Sequence, residues 1–233
     1  MNPTIGSRFA EVQARLHRAA LQADRDSSGI TLIAVSKTQP SSCLSEALDA
    51  GVLHLGENRV QEALAKKPKV QGDARWHLIG PLQRNKVKTA LEVFDVIHTL
   101  DRPALADRLQ MLLDEQWPGR RLPVLLEVNV GREPQKAGVL PEDVEGLARR
   151  VLDDCPNLQL DGLMAIPPFG RDPEASRPYF KALAELRQDL SQRLGTALPS
   201  LSMGMSHDFE IAIEEGATMV RVGTAIFGKR LER

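Results

Sequence analysis

The sequence predicts an α/β fold, a single (β/α)8 barrel of the TIM type preceded by one extra helix. Three observations carry that expectation. Apolar runs of strand length alternate with amphipathic helical segments about eight times, the rhythm of a parallel sheet with right-handed crossovers. The chain has 233 residues, a length that suits one closed barrel. No linker, repeat or low-complexity segment divides it, so 1–233 is read as one domain. An open doubly wound sheet is the alternative, but no GxGxxG motif follows the first strand.

The elements follow in order. Ile5, Phe9, Val12 and Leu16 recur at helical spacing with polar residues between them, giving an amphipathic helix that ends near Asp24. ITLIAVSK is a continuous apolar run that stops abruptly in polar residues, as a strand covered on both faces should. Ser41 and Ser42 open a helix that runs to Gly51, VLHLGE is the second strand, and residues 58–67 form a helix stopped by Pro68. RWHLIG and VIHTLD are the third and fourth strands, followed by helices over QRNKVKTALE, between the two, and Pro103 to Glu115. LPVLLEVNV is expected to be the longest strand, and PEDVEGLARRVLDD a helix with proline in its first turn. LQLDGLMAI is the sixth strand, and residues 173–194 make a long helix ending at Gly195. PSLSMG, the helix HDFEIAIEEG and the strand ATMVRVG complete the pattern.

Composition narrows the function. The net charge of −1 gives no electrostatic case for nucleic acid or an anionic membrane. Lys66, Lys67 and Lys69 read as a solvated basic face. Cys43 and Cys155 lie far apart without metal-site spacing, which suits a reducing compartment. The N-terminus lacks the continuous apolar core of a signal peptide, and no run approaches the roughly 20 apolar residues of a membrane span. A soluble cytoplasmic protein is expected.

In such a barrel, functional groups collect where strands end and βα loops begin. Lys37 follows an apolar strand at that end. Desolvation there lowers a lysine pKa, and a neutral amine can attack a carbonyl. A solvated lysine, or one paired with a loop carboxylate, fits the position equally. Ser206 is expected at the start of a helix, and Gly223 and Thr224 lie just past the last strand. Loops after strands 7 and 8 commonly bind phosphate, although a serine N-cap and a glycine bend explain each loop alone. Arg221 interrupts an apolar strand and should point inward, toward a ligand or into a salt bridge with Glu57 or Glu127.

The segments LIAVSKTQP, GENRVQE, WHLIGPLQRNK, IHTLDR, EVNVGREPQKAGV, LDGLMAIPP and LSMGMSHDFEIAIEEGATMVRVGTAIFG together resemble the pyridoxal phosphate homeostasis protein family. That family is also called the proline synthetase co-transcribed family and is related to the N-terminal barrel of alanine racemase. The resemblance runs from about Ser36 to Gly228. It implies a fold-type III barrel that holds pyridoxal 5'-phosphate (PLP) as a Schiff base on Lys37. It also implies phosphate binding at Ser206, Gly223 and Thr224, with Arg221 facing the pyridine nitrogen and Asn58 and His77 near the cofactor. The sequence departs from the commonest family pattern at Arg59, often aromatic, and at His207, often acidic.

An arginine at the ring nitrogen only donates hydrogen bonds, so the nitrogen stays unprotonated and stabilises a carbanion poorly. Racemases of this fold group add a second acid/base from another domain, typically a tyrosine. Tyr179, the only tyrosine here, is expected on the long helix after strand 6. The resemblance therefore implies a PLP carrier in vitamin B6 and amino-acid homeostasis, a monomer or weak homodimer that serves PLP-dependent apoenzymes. A PLP-dependent amino-acid racemase is the alternative, and a barrel for another phosphorylated metabolite is a third reading.

Overall fold

The computed structural model describes residues 3–228. The chain runs α1 (Ile5–Gln22), β1 (Thr31–Val35), α2 (Ser41–Asp49), β2 (His54–Glu57), α3 (Val60–Lys66), β3 (Arg75–Leu78), α4 (Val87–Val93) and β4 (Val96–Leu100). It continues through α5 (Pro103–Gln116), β5 (Leu122–Glu127), α6 (Val144–Asp154), β6 (Leu158–Met164), α7 (Arg177–Leu194), β7 (Ser200–Met205), α8 (Phe209–Glu214), β8 (Met219–Val222) and α9 (Thr224–Phe227). The eight strands pair in sequence order, all parallel, and β8 returns to β1 to close the barrel. The predicted (β/α)8 barrel with an extra N-terminal helix is the observed fold.

The extra helix has a packing role. The segment after β8 forms only the four-residue α9, too short to cover the β8–β1 seam. Helix α1 packs against α2, α8 and α9 there and buries Ile5, Phe9, Val12 and Leu16. Each such side chain contributes about 1.5–3 kcal/mol on burial. Thr4 caps the helix by accepting from the Ser7 N–H at 3.1 Å.

Most apolar contacts lie between the strands and the outer helices. A small second cluster, Val96, Leu125 and Met164 with Met219, fills the inside of the barrel. Three elements differ from expectation. The longest strand is β6, because after Glu127 the chain leaves the sheet in a loop where Arg132 has a positive φ of 52°. Helices α4, α6 and α7 open with 3-10 turns at Arg84–Lys86, Pro141–Asp143 and Pro173–Ser176. Helix α8 begins at Phe209 rather than at His207 or Ser206.

Candidate site at the barrel mouth

The C-terminal ends of the strands surround a cavity of 380 Å³. Lys37, Asn58, Ser206, Arg221, Gly223 and Thr224 line it, with Val35, Ile79, Ile166 and Phe169 as apolar wall. Six of the seven residues expected at the site thus share one cavity. The seventh, His77, lies deeper.

On the β1–β2 side the backbone of the lysine turn is tied down by charge. Strand β1 ends at Val35, and Ser36 is fully buried with its Oγ donating to Glu57 Oε1 at 2.7 Å. Lys66 donates to the Ser36 carbonyl at 2.8 Å, to Glu57 Oε1 at 2.7 Å and to Glu62 Oε1 at 2.6 Å, which uses all three of its protons. Glu62 also accepts the Thr38 N–H. Thr38 sits at φ 67°, the left-handed region that costs a β-branched residue about 1–3 kcal/mol. The ion-pair cluster offsets that strain and fixes the turn that carries Lys37. Burial raises the Glu57 pKa, and the bonds from Lys66 and Ser36 oppose the shift.

Lys66 was expected on a solvated face. It is 8% exposed, because Val60, Ala63 and Lys66 fall on the buried side of α3. Desolvation would be costly for a lone ammonium, and the two carboxylates make the position tenable. Asn58 is placed at the rim by a close approach of Gly80. A Cβ on Gly80 would lie 2.4 Å from the Asn58 carbonyl oxygen, so only glycine fits. Asn58 Oδ1 is buried and has no hydrogen-bond partner among the described residues.

On the β7–β8 side the loops meet each other. Ser206 is in the turn after β7 and accepts the Gly223 N–H at 3.1 Å. The expectation that Ser206 begins a helix is corrected: Asp208 is the cap residue of α8, and its Oδ1 accepts the Met205 N–H at 2.8 Å. Gly204, at φ 87°, lets the strand end turn back over Phe209 and Ala212. Thr224 opens α9 with an exposed side chain.

Arg221 is 3% exposed. Its guanidinium donates to Ser202 Oγ at 2.6 Å and to the Ala165 carbonyl at 2.9 Å. Burial lowers its pKa to about 10, while Glu127 and Asp208 act in the opposite direction, so it stays charged at neutral pH. Of the two alternatives for Arg221, the salt bridge is not formed: among the described residues no carboxylate ion-pairs with it, and Glu57 pairs with Lys66. Glu127 is buried, its pKa raised to about 7 by desolvation and by Asp101 against the pull of Arg221.

His77 is fully buried, and both ring nitrogens are taken. Nε2 pairs with His54 Nδ1 at 3.0 Å and Nδ1 with His98 Nε2 at 2.9 Å. His98 Nδ1 in turn meets Ser202 Oγ at 3.0 Å. Neither nitrogen of His77 remains for a ligand, so it supports the site from below. Sequence reasoning missed His54, His98, Ser202 and Glu62, and it gave Lys66 and Glu57 other roles, a solvated face and a partner of Arg221, than the pairing they make with each other. A signal existed for the histidines: three consecutive strands each carry one, in VLHLGE, RWHLIG and VIHTLD.

Among the described residues, no group of His, Cys, Asp and Glu could hold a metal ion. No described helix is long and apolar enough to cross a membrane. Both cysteines are free thiols.

Comparison with known proteins agrees with this fold. Residues 12–230 match the family described as alanine racemase, N-terminal domain. The pyridoxal phosphate homeostasis protein of Aquifex aeolicus is 46% identical over 224 residues, covering 96% of this chain and 97% of that protein. The protein of the same name from Pseudomonas aeruginosa is 46% identical over 230 residues, covering 97% and 96%. Among solved structures, PipY of Synechococcus elongatus PCC7942 with PLP bound aligns with TM-score 0.83 at 38% identity, covering 97% of this chain and 100% of that one. The barrel, its mouth and these relatives together place the chain in the pyridoxal phosphate homeostasis protein family, built on the alanine racemase N-terminal domain.

Proposed function

We propose that this chain binds one PLP at the barrel mouth as a Schiff base on Lys37 and acts in PLP and amino-acid homeostasis. It stores or delivers the cofactor and does not turn over amino acids efficiently. The whole chain, 1–233, works as one cofactor-binding barrel in the cytoplasm, as a monomer or weak homodimer. Its partners are PLP and PLP-dependent apoenzymes, not nucleic acid or membrane.

One observation carries the reading. A single 380 Å³ cavity gathers an amine, a buried guanidinium and two hydroxyl-bearing loops. These donors suit an aldehyde, a ring nitrogen acceptor and a phosphate. The unpartnered buried Oδ1 of Asn58 fits a site that is completed by a ligand. The curated relatives carry homeostasis names, and PipY was solved with PLP bound.

PLP supplies an aldehyde for imine formation and a ring that becomes a strong electron sink when its nitrogen is protonated. This chain's residues withhold that proton. Arg221 stays charged and offers only donors, anchored by Ser202 and the Ala165 carbonyl. Ser206, Gly223 and Thr224 hold the phosphate, with the Ser206–Gly223 bond keeping the two loops in register. Tyr179 lies in the first turn of α7, which packs on the outer face of β6 and β7, so it supplies no second acid/base inside the barrel.

Purified protein loaded with PLP tests this. The bound cofactor should absorb as an imine, Lys37→Ala should abolish that band, and Arg221→Glu should move it toward the form with a protonated ring. Amino-acid enantiomers should not interconvert at ordinary enzyme rates, on the order of 10 per second. Turnover at such rates would favour the racemase. A colourless protein indifferent to added PLP would favour another phosphorylated ligand.

A further inference from the structure

We infer that Ser202, His98, His77 and His54 form one hydrogen-bonded wire of fixed direction that orients Arg221 from beneath, with His54 as its end at the floor of the barrel. The inference rests on the proposed reading only in taking Arg221 to face the cofactor ring.

The contacts are continuous. Arg221 on β8 reaches Ser202 Oγ on β7 at 2.6 Å, and Ser202 meets His98 on β4 at 3.0 Å across the barrel interior. His98 meets His77 on β3 at 2.9 Å, and His77 meets His54 on β2 at 3.0 Å. His54 is partly buried and lines a second cavity, of 430 Å³, at the opposite end of the barrel from Lys37. The wire therefore runs from the mouth to the floor.

Its direction follows from donor chemistry. A guanidinium can only donate, so Ser202 Oγ accepts from Arg221. A serine hydroxyl has one proton, and among the described residues the only other partner of Ser202 Oγ is His98 Nδ1. The Ser202 proton therefore goes to His98 Nδ1. A neutral imidazole that accepts at Nδ1 carries its proton on Nε2, so His98 donates to His77 Nδ1, and His77 donates from Nε2 to His54 Nδ1. In the opposite direction Ser202 Oγ would accept twice and its buried proton would have no acceptor, which costs about 1–3 kcal/mol. One arrangement satisfies every polar atom between the two ends.

The neutral state is held by the surroundings. Desolvation lowers the His77 pKa to about 3, and burial depresses His98 well below its ordinary value. The charged and titratable groups around the wire are Arg75 and His77 facing His54, His17 on α1 in the same floor cavity, and Arg221 facing His98. Asp73 and Asp95 line the adjoining hollow beside Arg75. Glu127 and Asp208 act on Arg221 itself. Burial and Arg75 lower the His54 pKa as well, so this end charges only below its ordinary value of 6.5. A charged His54 carries a proton on Nδ1, sets two donors face to face at the His77 contact and breaks the wire at the floor. Ser202, His98 and His77 are accordingly positioning residues for Arg221, and the floor is coupled to the mouth.

Nitrogen-15 NMR of the cofactor-free protein tests the direction without PLP. His77 and His98 should both be neutral with the proton on Nε2 at pH 7.5. A proton on Nδ1 of either ring, or a charged ring, overturns the inference. The coupling is read in the PLP-loaded protein: the absorbance of the bound cofactor should show a step below pH 6.5 that His54→Gln abolishes, although His54 lies at the far end of the barrel. Ser202→Ala should abolish the same step and Ser202→Thr restore it. A step that persists in His54→Gln, or its absence from the unsubstituted protein, contradicts the coupling. Failure to bind PLP at all would sink the cofactor reading and leave the tautomers as the deciding measurement of the wire.

Discussion

Two cations are buried near the barrel mouth, and they are satisfied in opposite ways. Lys66 spends every proton inside the protein, on two carboxylates and a carbonyl, and holds the backbone that leads into Lys37. Among the described residues Arg221 meets only a hydroxyl and a carbonyl and ion-pairs with no carboxylate, and it lines the cavity. The guanidinium has five donors, and a buried charge without a counter-ion is expensive unless something else supplies acceptors. A saturated cation builds structure. An undersatisfied one, facing a cavity, is available to a ligand. On this reading the β1–β2 side of the mouth is scaffold for the lysine and the β7–β8 side is built for the ligand.

The contrast can be broken from either side. The largest effect is expected for Lys66→Met, which strands the buried Glu57 and frees the strained Thr38 turn. Loss of one partner of a buried pair costs about 3–5 kcal/mol, so urea unfolding should show a drop of that size. A loss below about 1 kcal/mol would mean that the cluster is only a solvated face.

Glu127→Gln comes next and probes the Arg221 side. The folded-state pKa of Glu127 is raised to about 7 from 4.5. The folded chain therefore holds more protons than the unfolded chain between those values, and stability from this group falls as pH rises from 4.5 to 7. The variant removes that loss. Each tenfold difference in proton affinity between the folded and unfolded chain corresponds to roughly 1.4 kcal/mol, and solvent relaxation reduces it. Relative to the parent the variant should therefore gain about 1–3 kcal/mol between pH 4 and pH 8. An unchanged difference across that range would show that Glu127 ionises normally and serves as the counter-ion of Arg221 after all.

The smallest effect is expected at Thr224→Ala. The hydroxyl is exposed, and one such bond to a phosphate is worth about 1 kcal/mol, so PLP release should accelerate by roughly fivefold while imine formation persists. Release at the parent rate would remove Thr224 from the phosphate loop.

The fold was largely legible because alternation of apolar runs is a strong signal and closure follows from length. ITLIAVSK read as a buried strand and is one, and Gly195 ends α7 in the left-handed conformation, at φ 61°. The mouth was legible in outline, since strand ends can be located without coordinates. What the sequence hid was pairing between distant residues. Lys66 looks like a surface lysine in EALAKKPK, and only the spacing of Val60, Ala63 and Lys66 hints that it turns inward. His98 and Ser202 are 104 residues apart, and nothing local marks them as partners. The start of α8 was misplaced because Ser206 and Asp208 are both common cap residues; Asp208 holds the cap position, but its carboxylate accepts from the Met205 N–H and the Ser176 hydroxyl instead of from the helix.

Borohydride reduction of the PLP-loaded protein, followed by digestion and mass spectrometry, tests the central claim most directly. A single pyridoxyl mark on the peptide containing Lys37, absent from Lys37→Ala, is the result expected. A mark on Lys66 or any other lysine, or no mark, would contradict it.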